Sequence, residues 1–201
     1  HFIQDHIENK EKGYFIQGSR VIMSEDKSKE IFKGKVLDVE MHTVSLPDGG
    51  TSTRELVNHR GAVAVLAITK ENEVILVEQY RKAIEQVTLE IPAGKLEPGE
   101  DNKKLSAIRE LKEETGYEAT EDQLTKLFDV HVALGYSSEV ITVFYVDGLE
   151  YAGEQNPDED EFINLKKYKV EDALKLLDDN TITDSKTMLA LMYLKIRKGT
   201  K

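Results

Sequence analysis

An α/β (α+β) layered domain with a small antiparallel β module in front of it is the fold class the sequence predicts, on three observations. Strand-like runs are interleaved with only a few helical stretches. Residues 61–69 form a nearly continuous apolar run, the pattern of a strand covered on both faces. Ahead of it, two β-like runs flank Pro47-Asp48-Gly49-Gly50, a turn in which Pro presets φ at the first corner and Gly accepts φ > 0. A chain of 201 residues holds one domain and a small addition. We divide it into residues 1–58, the β module, and residues 59–201, the main domain.

Taken in order, residues 1–30 are polar and read as irregular. Val36, Leu37, Val39, Met41 and Val44 form a partly alternating strand, and residues 51–57 return from the turn. This module is too short to bury a core alone, so it must dock on the rest of the chain or on a second copy. After the run at 61–69, residues 70–73 turn the chain and 74–78 return. Residues 88–91 make a short strand stopped by Pro92. A helix over about 102–115 ends at Gly116, placed as a C′ residue. Residues 127–132, 140–146 and 162–165 read as strands. Residues 170–179 and 185–197 read as helices, the second capped by Asp184. Tyr80, Phe128 and Phe144 read as core aromatics.

Composition excludes several function classes. There is no cysteine, hence no disulfide scaffold, thiol nucleophile or Cys-ligated metal. Lys and Arg total 27 against 38 Asp and Glu, a net charge of −11, which argues against a nucleic-acid partner. Such a chain binds a phosphorylated ligand only through divalent cations. The longest apolar run falls far short of the ~20 residues that span a bilayer, and no leader pattern is read. A soluble, cytoplasmic protein with no membrane partner is the expectation.

Chemistry concentrates in residues 91–117. On a helix of about 100° per residue, Leu105, Ala107, Ile108, Leu111 and Thr115 share one broad face. Glu110, Glu113 and Glu114 occupy an arc on the opposite side. Three carboxylates at such spacing repel one another on an isolated helix. A hard divalent cation reverses that sign, since oxygen ligands suit Mg²⁺, Mn²⁺ or Ca²⁺. Arg109, four residues before Glu113, can brace it with a charge-assisted bond. Gly94 lets backbone approach a ligand closely, and the Ala93 carbonyl is available as a further oxygen donor. The competing explanation for the glutamates is an ordinary solvated face.

The string Gly94, five residues, Glu100, then Arg109-Glu110-Leu111-Lys112-Glu113-Glu114-Thr115-Gly116-Tyr117 resembles the Nudix box. Eight residues rather than seven separate Glu100 from Arg109. The extra one is assigned to the loop around 101–103, before the helix is regular. The resemblance extends over roughly residues 30–197 and is strongest to the ADP-ribose pyrophosphatase branch. It is carried by Arg54-Glu55, Gly61-Ala-Val-Ala-Val65, Glu78-Gln79-Tyr80-Arg81, Glu90-Ile-Pro-Ala-Gly94, Gly135-Tyr-Ser-Ser-Glu139 and the acidic segment 158–161. Arg60 and Leu134 stand where that branch frequently has Pro.

The resemblance implies a Nudix-type α/β/α sandwich with a mixed sheet, and metal-dependent hydrolysis of ADP-ribose to AMP and ribose 5-phosphate. Two or three Mg²⁺ (or Mn²⁺) ions would sit on Glu110, Glu114 and the Ala93 carbonyl, with Glu113 as further ligand or support. The general base would be Glu159, with Glu161 as its metal-side partner, or the reverse. Arg81 would clamp a phosphate, Arg54 and Glu55 would meet the nucleoside end, and Gly135 and Glu139 would line the substrate site. In this family the N-terminal module packs across a two-fold axis, so a homodimer is implied. Two alternatives remain: another nucleoside diphosphate derivative as substrate (a nucleotide sugar or a dinucleotide), or a module that senses a nucleotide without cleaving it.

Overall fold

Every residue of Ala62–Thr69 is buried, and its alternate side chains enter two separate cores. Ala62, Ala64, Leu66 and Ile68 belong to one; Val63, Val65 and Ala67 belong to the other. That is the period-two consequence of a central strand covered on both faces. The computed structural model describes residues 27–46, 48–153, 155–156 and 163–199, with the backbone of three short strands before residue 24.

The chain forms two compact units, residues 1–59 with 133–139 and residues 60–132 with 140–201. In the first, strands β1 (Ile7–Asn9), β2 (Tyr14–Gln17) and β3 (Arg20–Met23) make one antiparallel sheet. The expectation of an irregular start is therefore not met. The strands β4 (Lys27–Lys33), β5 (Asp38–Ser45) and β6 (Thr51–Asn58) make a second antiparallel sheet. The turn before β6 forms as expected, with Gly49 at φ 85°. Segment 133–139 joins this unit through main-chain bonds: Val57 N–H donates to Tyr136 O at 2.7 Å, and Ser138 N–H donates to Val57 O at 3.0 Å.

The second unit is built on β7 (Ala62–Thr69), β8 (Glu73–Arg81), β9 (Gln86–Glu90), β10 (Ala93–Lys95), β11 (Thr125–His131), β12 (Val140–Leu149) and β13 (Asn164–Lys169). Its sheet runs β11-β12-β7-β8-β13, with β10 on β7 and β9 on β8. The β12–β7 pair is parallel and the others are antiparallel, so the sheet is mixed. Helix α1 (Lys103–Thr115) buries Ala107 and Leu111 in one core. Helices α2 (Val170–Asp178) and α3 (Ser185–Gly199) bury Val170, Ala173, Ala190, Leu191 and Leu194 in the other. The result is the α/β/α sandwich with a mixed sheet.

Local chemistry sets the limits of α1. Asn102 caps its start, its side chain accepting from the amides of Lys104 (3.1 Å) and Leu105 (3.4 Å). Gly116 ends it in the left-handed region at φ 73°, its N–H donating to Lys112 O at 2.8 Å. Asp184 caps α3, accepting from Thr187 N at 3.0 Å. Tyr80 departs from expectation: next to the last residue of strand β8, it is 56% exposed, whereas Phe144 is buried at 3%. Among the described residues no helix is long and apolar enough to cross a membrane.

Candidate active site

The site is assembled where α1 crosses β10. Because β10 pairs with β7, Ala93 and Gly94 are fixed opposite Ala64 and Val63. Packing of Ala107 and Leu111 then turns two glutamates, one helical turn apart, toward that short strand. Glu114 Oε2 accepts from the Ala93 amide at 3.0 Å, and its Oε1 accepts from Gln79 Nε2 at 3.1 Å. The Glu110 carboxylate lies over Gly94: a β-carbon built there would be 1.9 Å from Glu110 Cδ. Only glycine leaves room for that carboxylate.

Burial revises the helix as read from sequence. Glu114 is only 3% exposed and belongs to the buried set with Ser106, Ala107, Leu111 and Thr115, whereas Leu105 is 52% exposed. The solvated-face explanation therefore fails for Glu114. A buried carboxylate needs compensating donors, and the two bonds from β8 and β10 supply them.

Arg109 braces more than Glu113. Its Nη1 donates to Glu113 Oε2 at 2.8 Å, as expected, and its Nη2 lies 2.9 Å from Glu110 Oε1. Its Nε and Nη2 also donate to Glu100 at 3.1 and 3.2 Å. Glu100, whose role the sequence left open, thus holds this arginine, and the Arg109 bond keeps its carboxyl below the usual range. Burial works against the charge on Arg109, but Glu100, Glu110 and Glu113 together raise its pKa. Arg109, Glu110, Glu113 and Glu114 all lie within the uninterrupted helix α1, which starts at Lys103, so their helical spacing is regular.

A second group of residues follows the helix. Gly116 O accepts from the amides of Ala152 (3.0 Å) and Gly153 (3.2 Å), and Glu113 O accepts from Asn156 N at 2.8 Å. Gln155 Nε2 donates to Glu114 O. The chain therefore enters the acidic segment beside the C-terminal end of α1. Glu159 and Glu161 themselves lie outside the described residues.

Arg81 ends β8 and is held by Glu90, its Nε and Nη2 donating at 2.7 and 2.8 Å. Arg54, Glu55, Gly135 and Glu139 belong to the first unit. Arg54 and Glu55 are both exposed on β6, and Arg54 Nη1 donates to Ser52 Oγ at 2.7 Å and Thr53 O at 2.8 Å. His59 Nδ1 lies 3.9 Å from Glu139 Oε1, and the Glu139 amide donates to Ser137 Oγ at 3.2 Å. Gly135 is exposed.

The donor set fits a hard cation. Glu110 and Glu114 offer carboxylate oxygens at the Ala93–Gly94 backbone, and Mg²⁺ characteristically takes one or two carboxylates, filling its shell with water and substrate phosphate. Among the described residues no three histidine or acidic side chains are grouped so as to hold a metal ion by themselves.

The profile of the Nudix domain matches residues 58–191, two thirds of the chain. The protein belongs to the Nudix family. Within that family it is 44% identical over 172 residues to the ADP-ribose pyrophosphatase of Bacillus subtilis (strain 168), covering 85% of this chain and 91% of that one. It is also 44% identical over 176 residues to the methanol dehydrogenase activator of Bacillus methanolicus, covering 87% and 94%. A crystal structure described as an ADP compounds hydrolase superimposes with a TM-score of 0.73 at 24% identity, covering 87% and 93%, which places the Nudix fold.

Sequence reasoning missed Gln79, which satisfies Glu114, and the part played by Glu90. Glu90 did carry a signal: a charge between Leu89 and Ile91, in a strand ended by Pro92. A carboxylate in that setting must find partners.

Proposed function

We propose that this Nudix protein hydrolyses the pyrophosphate of ADP-ribose, giving AMP and ribose 5-phosphate. The observation that carries the reading is the pair of carboxylates, Glu110 and Glu114, fixed on the Ala93–Gly94 backbone. The relative of B. subtilis named ADP-ribose pyrophosphatase supplies the substrate. Glu110, Glu114 and the Ala93 carbonyl would hold two or three Mg²⁺ or Mn²⁺ ions, with Glu113 in support. Such ions neutralise a pyrophosphate and lower the pKa of an attacking water when bound.

The chain's own residues do the rest. Arg109 orients Glu110 and Glu113, and Gln79 and the Ala93 amide orient Glu114. Arg81 takes a phosphate oxygen through its planar fork. Glu159 or Glu161 accepts the proton of the water, in a segment that starts from Asn156 beside Glu113. Arg54, Glu55, Gly135 and Glu139 bind the nucleoside end and line the substrate site. A homodimer is proposed through the N-terminal unit, whose Phe32 and Val36 are 58% and 52% exposed; light scattering tests it. A cytoplasmic location is proposed with it, which cell fractionation tests.

Hydrolysis of a nucleoside-diphosphate panel with Mg²⁺, with and without chelator, tests the reading. ADP-ribose is the expected best substrate, and Glu114→Gln is expected to lose at least about 100-fold in turnover. Undiminished turnover in that variant would remove the metal assignment. Preferential cleavage of a nucleotide sugar or a dinucleotide in that panel would favour one of those substrates instead. Tight binding without cleavage would point to a nucleotide sensor.

A further inference from the structure

We propose that Glu90 is a positioning residue of the reaction: buried at the end of β9, it grips one edge of the Arg81 guanidinium and turns the other edge toward the substrate pyrophosphate. The inference rests on the assignment of Arg81 to that pyrophosphate and adds how the arginine is held.

The geometry is that of a built support. The Glu90 side chain is 4% exposed and that of Arg81 43%, so the pair runs from interior to surface. Glu90 Oε1 accepts from Arg81 Nε (2.7 Å) and Thr88 Oγ1 (2.6 Å); Oε2 accepts from Arg81 Nη2 (2.8 Å) and from Lys186 Nζ. Lys186, itself 7% exposed at the side chain, lies 3.1 Å from Asp184 Oδ2. Asp184 Oδ2 accepts from Thr187 Oγ1 at 2.6 Å, and that hydroxyl accepts from the Ile91 amide at 2.8 Å. The chain of bonds thus returns to the residue after Glu90, tying β9 to the first turn of α3. Two cations and two anions balance within it.

Burial opposes the charge on Glu90, but Arg81, Lys186 and Thr88 outweigh it and hold its pKa at about 2. It is an anion at any working pH. A guanidinium carries five N–H groups. Glu90 takes the Nε–H and one Nη2–H, the side-on edge, and three remain, including the end-on pair of Nη1 and Nη2. That pair matches two oxygens of a phosphate. The aim is also set. Side chains alternate along β8, so Gln79 and Arg81 share a face about 7 Å apart. Gln79 bonds Glu114, so the clamp stands one strand repeat from the candidate metal ligand. Two apolar residues would fill the same space without a desolvation cost; an ion pair that fixes the plane of an arginine does what they could not.

The test is a double-mutant cycle in ADP-ribose hydrolysis with Mg²⁺, reading KM and kcat for wild type, Arg81→Ala, Glu90→Gln and the double variant. Arg81→Ala is expected to lower kcat/KM about 10- to 100-fold. Glu90→Gln is expected to lose a similar factor with KM rising, and the double variant to lose no more than Arg81→Ala alone. A merely structural role would lower the amount of active enzyme, moving kcat without KM, and the two losses would multiply; either result overturns the proposal. If the amide leaves Lys186 unpaired and the fold fails, Glu90→Gln with Lys186→Met keeps the charge balance and replaces it in the cycle. Loss in Arg81→Ala without loss on the Glu90 side would sink the positioning role and spare the clamp. No loss in Arg81→Ala would instead sink the clamp, on which the proposal rests.

Discussion

Replacing Gly94 by alanine should separate activity from stability. The new methyl would lie 1.9 Å from Glu110 Cδ and 2.1 Å from both carboxylate oxygens, where ordinary contact begins at 3.4 Å. The carboxylate must therefore retreat by about 1.5 Å. Helix α1 cannot retreat with it, because Ala107 and Leu111 are fully buried on the sheet. The side chain alone swings, about flexible torsions, so the stability cost is small. Gly94 does not sit at positive φ, and alanine also narrows the unfolded ensemble, worth about 0.4–1 kcal/mol in the opposite sense. A misplacement of this size in a catalytic group costs about 100-fold, or about 2.7 kcal/mol of barrier. The expected result is a Tm within a few degrees of wild type, weakened Mn²⁺ binding by titration calorimetry, and kcat/KM down about 100-fold. A variant that binds Mn²⁺ and turns over ADP-ribose within about twofold of wild type would refute the reasoning, because Glu110 would then not need its place over Gly94.

Three further outcomes follow from the same geometry. Because the Glu90 pKa is depressed from 4.5 to about 2, its contribution, about 3 kcal/mol by linkage, is present above pH 4.5 and lost as pH falls toward 2; acid unfolding followed by circular dichroism should show this loss in wild type and not in Glu90→Gln. Asn102→Ala removes the side-chain cap of α1 and should cost about 1 kcal/mol in urea unfolding, with no change in m. Gly116→Ala sets a β-carbon against Gly153 O at a residue with φ 73°; backbone cannot yield as a side chain does, so a loss of about 2 kcal/mol or more is expected.

Much of the fold was legible in the sequence because its signals are local. The run before Lys70, Gly116 at the end of α1, and the turn at Asp48–Gly50 each act within a few residues. Residues 1–30 were misread because β1, β2 and β3 are only three or four residues long, too short for an alternation to register. Tyr80 was misread because an aromatic on a strand reads as core, yet β8 runs past the covered part of the sheet and leaves it in solvent.

By itself the sequence determined the helix, its glutamates at i, i+3 and i+4, the arginine beside them and the glycine ahead of them, since spacing along one helix is fixed by its pitch. Tertiary structure alone decided which of those glutamates is buried. Glu114 goes inward because β8 and β10 present Gln79 and the Ala93 amide to it, while Glu113 stays half exposed on Arg109. It alone also decided that Glu90 and Lys186, 96 residues apart, share one buried network with Arg81. Long-range pairing of charges obeys no period along the chain; it depends on which strands and helix ends the packed core brings within bonding distance.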